Sequence, residues 1–198
     1  FFFERNSETQ RAVVGFYGGE PLLEFDLIRK CVQYVNEKVE GKDILFNMTT
    51  NGTLLTDEVV DCIVENNFYL SISLDGSEEE HDANRKFANG KGSFETIIKN
   101  IQRIKELYPD FDSRINIMTT INPNSDLGCV LEYFSTDDIF NDKHIMFNPM
   151  KETMLNTEVT YEQKYYRIRN YEYIKALFAL VDKLDYKYVS KLTEGMNG

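Results

Sequence analysis

The chain has 198 residues, of which 42% are hydrophobic and 28% charged, and these fractions are typical of a globular protein with one sizeable core. The formal net charge of −11 argues against a nucleic-acid backbone or an anionic membrane surface as a partner. No apolar run is long enough to cross a bilayer and no signal-peptide pattern opens the chain, so we expect a cytoplasmic protein.

The cysteine pattern also favours a cytoplasmic protein. Cys31, Cys62 and Cys129 are widely scattered, none of them has CxxC or CxxxCxxC spacing, and no histidine lies near them in the sequence. Such spacing predicts free thiols in a reducing compartment and no metal site made by these residues.

The first strong signal is an apolar run that stops abruptly. Val13–Tyr17 is rich in β-branched and aromatic residues and predicts a buried strand. Gly18 and Gly19 follow it and would let a ligand approach the main chain, while Glu20 would place a carboxylate at the end of the strand. In α/β folds the carboxyl ends of strands are where ligands bind. An ordinary turn into a helix would use the same residues.

Strands and helices then alternate along the chain. Strict alternation predicts right-handed βαβ crossovers and a parallel sheet with outer helices, and the pattern alone fits an open or a closed sheet. The strand at 43–50 is apolar enough to be buried on both faces. The predicted strands are 13–17, 43–50, 68–74, 114–121 and 144–147, and the predicted helices are 24–39, 57–66, 94–107, 125 to about 134, and 161–188.

Three segments of the chain resemble the radical S-adenosylmethionine (SAM) enzymes, in the order found in that family. They are GGEP after the first predicted strand, TTNGTLL at the end of the second, and SISLDG at the end of the third, with EEHDANR following it. The last pair is similar to the SLDG and HDxxR segments of the group that contains sulfatase maturases and peptide maturases. The resemblance covers about residues 11–150. It implies a partial (β/α)6 barrel whose second to sixth strands are present, in a single truncated domain over 1–198 with a helical segment from about 158 to 198.

The resemblance also implies which residues bind the methionine end of SAM. Gly18, Gly19 and Glu20 would hold its amino group, because a protonated amine needs acceptors in a fixed arrangement. Thr50 or Asn51 would approach the same end of the cofactor.

Three further residues are implied by the later motifs. Ser73 would contact the ribose or the carboxylate of SAM, and Arg85 would pair with that carboxylate by a two-pronged hydrogen bond. Asn148 would flank the adenine. His81 and Asp82 are expected to shape the loop, and Asp75 is expected to form a turn before Gly76.

The implied chemistry needs a cofactor that this sequence does not hold by itself. In the family, a CxxxCxxC motif binds a 4Fe-4S cluster, and a reductant such as flavodoxin or ferredoxin then drives cleavage of SAM to a 5′-deoxyadenosyl radical. The motif is absent from this sequence, so we expect the fragment to be inactive alone and we assign no catalytic residue. The parent protein would oxidise a peptide or protein substrate, or it would form a thioether or carbon crosslink in that substrate.

Two other functions remain open from the sequence. A barrel relative without a cluster would act as a non-catalytic module that binds a peptide or another ligand. An ordinary (β/α) barrel enzyme would use Glu20 and Asp75 as an acid and base pair, which requires two carboxylates facing each other in a pocket.

Overall fold

The computed structural model describes residues 11–38, 43–150 and 159–193. Alternating strands and helices make up these residues, as predicted. The strands are β1 Arg11–Phe16, β2 Asp43–Thr50, β3 Phe68–Ser73, β4 Ile115–Ile121 and β5 Ile145–Pro149. The helices are α1 Phe25–Lys38, α2 Asp57–Glu65, α3 Glu78–Asn84, α4 Phe94–Leu107, α5 Pro109–Asp112, α6 Leu127–Thr136 and α7 Gln163–Leu180, with short 3-10 helices at Pro21–Glu24, Asp138–Phe140 and Tyr186–Tyr188.

The five strands form one sheet in the order β1-β2-β3-β4-β5. The ladders β1–β2, β2–β3 and β4–β5 are parallel, with Phe16 opposite Met48 and Phe46 opposite Phe68. Neighbouring parallel strands joined through helices are what the alternating pattern predicted, and the parallel sheet is confirmed.

The chain divides into two compact units. The first unit is Phe1–Ser73 with Thr96–Asn116, and the second unit is Leu74–Glu95 with Ile117–Gly198. In the first unit, the rings of Phe16, Phe46 and Phe68 stack at centroid distances of 5.1 to 6.4 Å. In the second unit, Phe134 packs edge-on against Phe140 and Phe147. Each unit therefore has aromatic packing of its own.

Burial of the first two strands differs from the prediction. Only Ala12 of β1 is fully buried and Val13 is half exposed, because β1 is an edge strand of the sheet in the described residues. In β2, Phe46 and Met48 are buried whereas Asn47 between them is exposed. The predictions of a buried first strand and of a second strand buried on both faces are therefore wrong, since these strands bury alternate residues.

A helix was missed in the segment predicted as a polar loop. Helix α3 begins after Ser77 and has three glutamates, Glu78, Glu79 and Glu80, in its first turn. Negative side chains are favourable at the positive end of a helix, and this signal could have predicted the helix from the sequence. The helix matters because it carries His81 and Asp82.

The last long helix is shorter than predicted and buries another face. Helix α7 ends where Asp182 takes a left-handed φ of 56°, so the chain turns before the predicted end at 188. Its buried positions include the small residues Ala176 and Ala179, which allow close approach of a neighbour, whereas Ile174 and Leu177 are exposed. The helical spacing in the sequence predicts one apolar face, but only the first of its residues is buried, so the predicted face is wrong; its residues are Tyr165, Ile168, Ile174, Leu177, Phe178, Val181 and Leu184. Within the described residues, no helix combines the length and the apolar character needed to cross a membrane.

Candidate functional site

The turn after β1 contains two glycines that the chain itself does not require. Neither Gly18 nor Gly19 adopts a left-handed φ, and a Cβ placed on either of them would meet no atom within 4 Å. A glycine in an unstrained, open position leaves the neighbouring backbone carbonyls accessible to another molecule. The open space beside both residues therefore fits the approach of a ligand to the main chain.

Glu20 fixes this turn to the end of β2, within the first unit. Its Oε1 accepts hydrogen bonds from the Leu22 amide at 3.0 Å and from Thr50 Oγ1 at 2.8 Å, and its Oε2 accepts from the Asn51 amide at 2.7 Å. A carboxylate has about four acceptor positions, so the described residues use three of them and leave one for a ligand. Glu20 is thus largely a structural acceptor that holds two strand ends together.

Thr50 and Asn51 complete the same cluster. Thr50 is 2% exposed, and its hydroxyl donates to Glu20 and accepts from the Gly52 amide at 3.1 Å. Asn51 Oδ1 accepts from the amide of Thr53 at 2.9 Å and from its hydroxyl at 2.7 Å. The buried Thr50 therefore supports the turn, while the NH2 group of the half-buried Asn51 has no partner within the described ranges.

Ser73 is the last residue of β3 and belongs to the first unit. It is half-buried, and its hydroxyl has no hydrogen-bond partner in the part of the chain that the structure describes. A hydroxyl can donate one hydrogen bond and accept two, so the described residues leave all the hydrogen-bonding capacity of Ser73 open at the end of β3.

Asp75 and Arg85 form an ion pair within the second unit. Arg85 Nε donates to Asp75 Oδ2 at 2.6 Å and Arg85 Nη2 donates to Asp75 Oδ1 at 3.2 Å. The Asp75 side chain is 6% exposed and that of Arg85 is 33% exposed. The Thr120 amide also donates to Asp75 Oδ1 at 2.8 Å, and Arg85 Nη2 lies 3.3 Å from Thr120 Oγ1. The two-pronged edge of Arg85, which the resemblance implied for SAM, is thus occupied by Asp75 in this structure.

His81 also holds the turn at Asp75, through a hydrogen bond with the Asp75 backbone. The ring is fully buried, and its Nδ1 accepts from the Asp75 amide at 3.2 Å. Because an amide can only donate, the proton of the neutral ring must lie on Nε2, which is 2.9 Å from Ser93 Oγ. Ser93 Oγ in turn donates to the Arg85 carbonyl at 3.2 Å. Burial lowers the pKa of His81 below its usual value, with the charge of Asp75 acting in the opposite direction.

Asp82 caps helix α4, although a serine directly before a helix, here Ser93, is the usual signal for the capping residue. Its Oδ1 accepts from the amides of Ser93 and Phe94 at 2.9 and 3.0 Å. A Cβ on Gly92 would overlap the Asp82 carboxylate, so the glycine makes room for this cap. His81 and Asp82 therefore shape this region, as the sequence suggested, whereas Asp75 does more than form a turn.

The remaining predicted residue, Asn148, lies opposite Thr120 in the β4–β5 ladder of the second unit. Asn148 is exposed near the end of β5, and its side-chain NH2 donates to the Met146 carbonyl at 3.2 Å. Thr120, by contrast, was missed by sequence reasoning although it touches both Asp75 and Arg85. Its position at the carboxyl end of β4 is the signal that could have identified it.

The described residues give no support to the acid and base pair or to a metal site. The Glu20 carboxylate bonds two amides and a hydroxyl, and the Asp75 carboxylate bonds an arginine and an amide, so each has a structural role within its own unit. In the described ranges, no group of three or more His, Cys, Asp or Glu side chains is arranged to hold a metal ion.

Comparison with known proteins identifies the family. The sequence model of the Radical SAM superfamily matches residues 3–127. A cysteine-type anaerobic sulfatase-maturating enzyme of Clostridium novyi (strain NT) is 32% identical over 137 residues, which are 67% of this chain and 36% of that protein. A serine-type anaerobic sulfatase-maturating enzyme of Bacteroides thetaiotaomicron is 29% identical over 153 residues, which are 76% of this chain and 36% of that protein.

Solved structures agree on the fold. The structure described as histidine-tagged anSMEcpe with bound AdoMet has a TM-score of 0.73 at 22% identity, over 90% of this chain and 50% of that chain. A second one, native anSMEcpe with bound AdoMet and Cp18Cys peptide, has a TM-score of 0.72 at 22% identity over the same shares. The chain thus spans half or less of these relatives, and the similarity confirms the predicted partial radical SAM barrel. The family match covers more than half of the chain, which therefore belongs to the radical SAM superfamily, whose cofactors are SAM and a 4Fe-4S cluster.

Proposed function

We propose that this chain is the SAM-binding part of a radical SAM enzyme that modifies a peptide or protein. The observation that carries the proposal is the turn at Gly18 and Gly19, where both glycines are unstrained and border open space. Nothing in the packing of the described residues requires glycine there. A ligand that must reach the backbone would explain why both positions are glycine.

The residues of the first unit suit the amino group of SAM. A protonated amine must be met by oxygen acceptors, and the carbonyls of Gly18 and Gly19 together with the remaining acceptor position of Glu20 supply them. Glu20 is held by the Asn51 amide and by Thr50, so its carboxylate is fixed before a ligand arrives. Because its side chain is already ordered, Glu20 would lose little conformational entropy when a ligand binds.

The carboxylate of SAM requires donors. We assign it to Arg85, with Ser73 as a second donor to the carboxylate or the ribose. Arg85 Nη1 has no partner in the described part of the chain, and the guanidinium is one-third exposed. Asn51 and Asn148 are proposed to contact the methionine and adenine ends of the cofactor, respectively.

When bound, SAM and the cluster would supply the 5′-deoxyadenosyl radical that begins the reaction on the substrate. The chain's own task is to bind SAM, orient it and keep water from it. The cluster ligands are proposed to come from a CxxxCxxC motif outside this chain, and the 198-residue chain alone is proposed to be inactive.

The sulfatase-maturating relatives, and the solved neighbour with a bound peptide, support a peptide or protein as the substrate. Oxidation of that substrate, or a thioether or carbon crosslink in it, is the reaction we propose for the parent protein. Flavodoxin or ferredoxin is the proposed reductant.

A binding titration tests the assignment of SAM to this chain. SAM would be titrated by calorimetry into the cluster-loaded full-length protein, into Glu20→Gln and into Arg85→Met. We expect each substitution to weaken binding by at least about tenfold, since each removes a charged partner of the ligand. Glu24→Gln and Arg167→Met change residues outside the clusters and should bind like wild type. Unchanged affinity in both site variants would contradict the assignment.

A further inference from the structure

We propose that Asp75 is a positioning residue, which aims Arg85 so that only its Nη1 edge is presented to the carboxylate of SAM. The inference rests on the proposed function, because it assumes that Arg85 binds this carboxylate. It adds a residue to which neither the sequence nor the resemblance gave a binding role.

The donors of Arg85 can be accounted for one by one. A guanidinium has five N–H donors in a rigid plane. The donor on Nε and one on Nη2 point to Asp75, and Nη2 also lies 3.3 Å from Thr120 Oγ1. The two donors on Nη1 have no partner among the described residues, so a ligand carboxylate would meet one nitrogen of Arg85 and not the fork formed by Nε and Nη2.

The side chain of Asp75 is itself fixed by burial and by its hydrogen bonds. Its side chain is 6% exposed, its Oδ1 accepts from the Thr120 amide, and its own amide donates to the buried His81 ring. A buried carboxylate with these fixed partners cannot rotate without losing hydrogen bonds. Arg85, which is more exposed, is therefore the member of the pair whose direction is set by the other.

The pairing also changes what Arg85 can attract. The negative charge of Asp75 lies 2.6 Å from Arg85 Nε and offsets much of its long-range field. Such an arginine selects a ligand by the position of the carboxylate more than by its charge alone. We therefore expect Arg85 to contribute to selectivity for an amino acid carboxylate that the rest of SAM places correctly.

The test compares SAM with decarboxylated SAM, which lacks only the carboxylate. Both ligands would be titrated into cluster-loaded full-length protein, and the ratio of their dissociation constants gives the preference for the carboxylate. Because the cluster also contacts this group, the informative quantity is the change in that ratio between wild type and variants.

Arg85→Met should reduce the wild-type preference by at least about tenfold, since it removes the charged partner of the carboxylate. Asp75→Asn should reduce it by about threefold to tenfold, because the amide can still accept from Thr120 but no longer fixes the guanidinium. Asp126→Asn is the matched control: Asp126 also caps a backbone amide, that of Gly128, and pairs with Lys164 in the same unit. It should leave the preference unchanged.

The outcomes separate the two claims. If Arg85→Met keeps the wild-type preference, the proposed role of Arg85 is wrong. If Arg85→Met loses the preference and Asp75→Asn keeps it, only the positioning role is wrong. Should Asp75→Asn fail to fold, a crystal structure of the wild-type protein with SAM decides: Asp75 is expected to stay on Nε and Nη2, and a ligand carboxylate found on that edge would overturn the inference.

Discussion

The Glu20 carboxylate accepts a hydrogen bond of 2.7 Å from the Asn51 amide and so joins the ends of two neighbouring strands. The two residues are 31 positions apart in the sequence, yet both lie in the motifs that resemble the SAM-binding turns. This bond makes the Gly18–Glu20 turn and the end of β2 one structural element.

Replacing Glu20 with alanine should therefore destabilise the protein as well as weaken SAM binding. The Asn51 amide and the buried Thr50 hydroxyl would lose their acceptor, which costs about 1–3 kcal/mol of unfolding free energy. Denaturant unfolding measures this change, with Glu24→Ala as an exposed control. A loss as small as that of the control would mean that Glu20 does not hold the two strand ends together.

Substitution of Gly18 or Gly19, in contrast to Glu20, should weaken SAM binding without destabilising the fold. Gly18→Ala and Gly19→Ala should leave the unfolding free energy within about 0.5 kcal/mol of wild type, since an added Cβ meets nothing. The same changes should weaken SAM binding by about tenfold, because the methyl group would occupy the space through which SAM is proposed to reach the backbone.

Gly52→Ala is the contrasting variant for this pair. Gly52 has a φ of 75° and its Cβ would lie 2.8 Å from Ile72, so alanine should destabilise the fold by about 1–3 kcal/mol. Wild-type SAM affinity in both Gly18→Ala and Gly19→Ala would contradict a ligand at this turn.

How much of this arrangement could be read from the sequence depends on the range of the interaction. Apolar periodicity is local, and it correctly predicted the five strands and most of the helices. Asp75 accepts a hydrogen bond from the Thr120 amide, 45 residues away, and only the folded sheet brings these strand ends together. The ion pair of Asp75 with Arg85 spans 10 residues across helix α3, which the sequence analysis did not predict, so the sequence suggested a turn residue where the structure has an ion pair.

Burial was the other property that local patterns did not settle. The apolar run at 43–50 looked fully buried, but in β2 the side chains of Leu45 and Thr49 are only half-buried and Asn47 is exposed, whereas Phe46 and Met48 on the other face are buried. In α7, Ala176 and Ala179 are buried while the larger Leu177 is exposed. Which face of a helix is buried depends on the shape of its neighbour as well as on hydrophobicity.

His81 should make stability depend on pH. The pKa of the folded ring is lowered, so the unfolded chain binds the proton more readily, and stability falls as the pH drops below the unfolded value of about 6.5. Urea unfolding of wild type should thus give a lower free energy at about pH 5.5 than at about pH 7.5. In His81→Gln the protein should be less stable at the higher pH, and this part of the pH dependence should vanish. An unchanged pH dependence in the variant would show that His81 does not titrate on unfolding.

Asp82 should contribute stability through the cap of α4. Asp82→Ala removes the acceptor for the amides of Ser93 and Phe94 and should cost about 1–2 kcal/mol of unfolding free energy. Gln102→Ala, an exposed position within α4, serves as the control in the same chemical denaturation experiment. If both variants unfold like wild type, the cap is not a stabilising contact.

The radical SAM function itself can be tested by an anaerobic assay of the full-length protein. After reconstitution with iron and sulfide, the protein would be mixed with SAM and a strong reductant, and 5′-deoxyadenosine would be measured by chromatography. We expect wild type to form 5′-deoxyadenosine, and Glu20→Gln and Arg85→Met to form far less. A full-length protein that binds no cluster and forms none of this product would contradict the radical SAM function and favour a non-catalytic ligand-binding module.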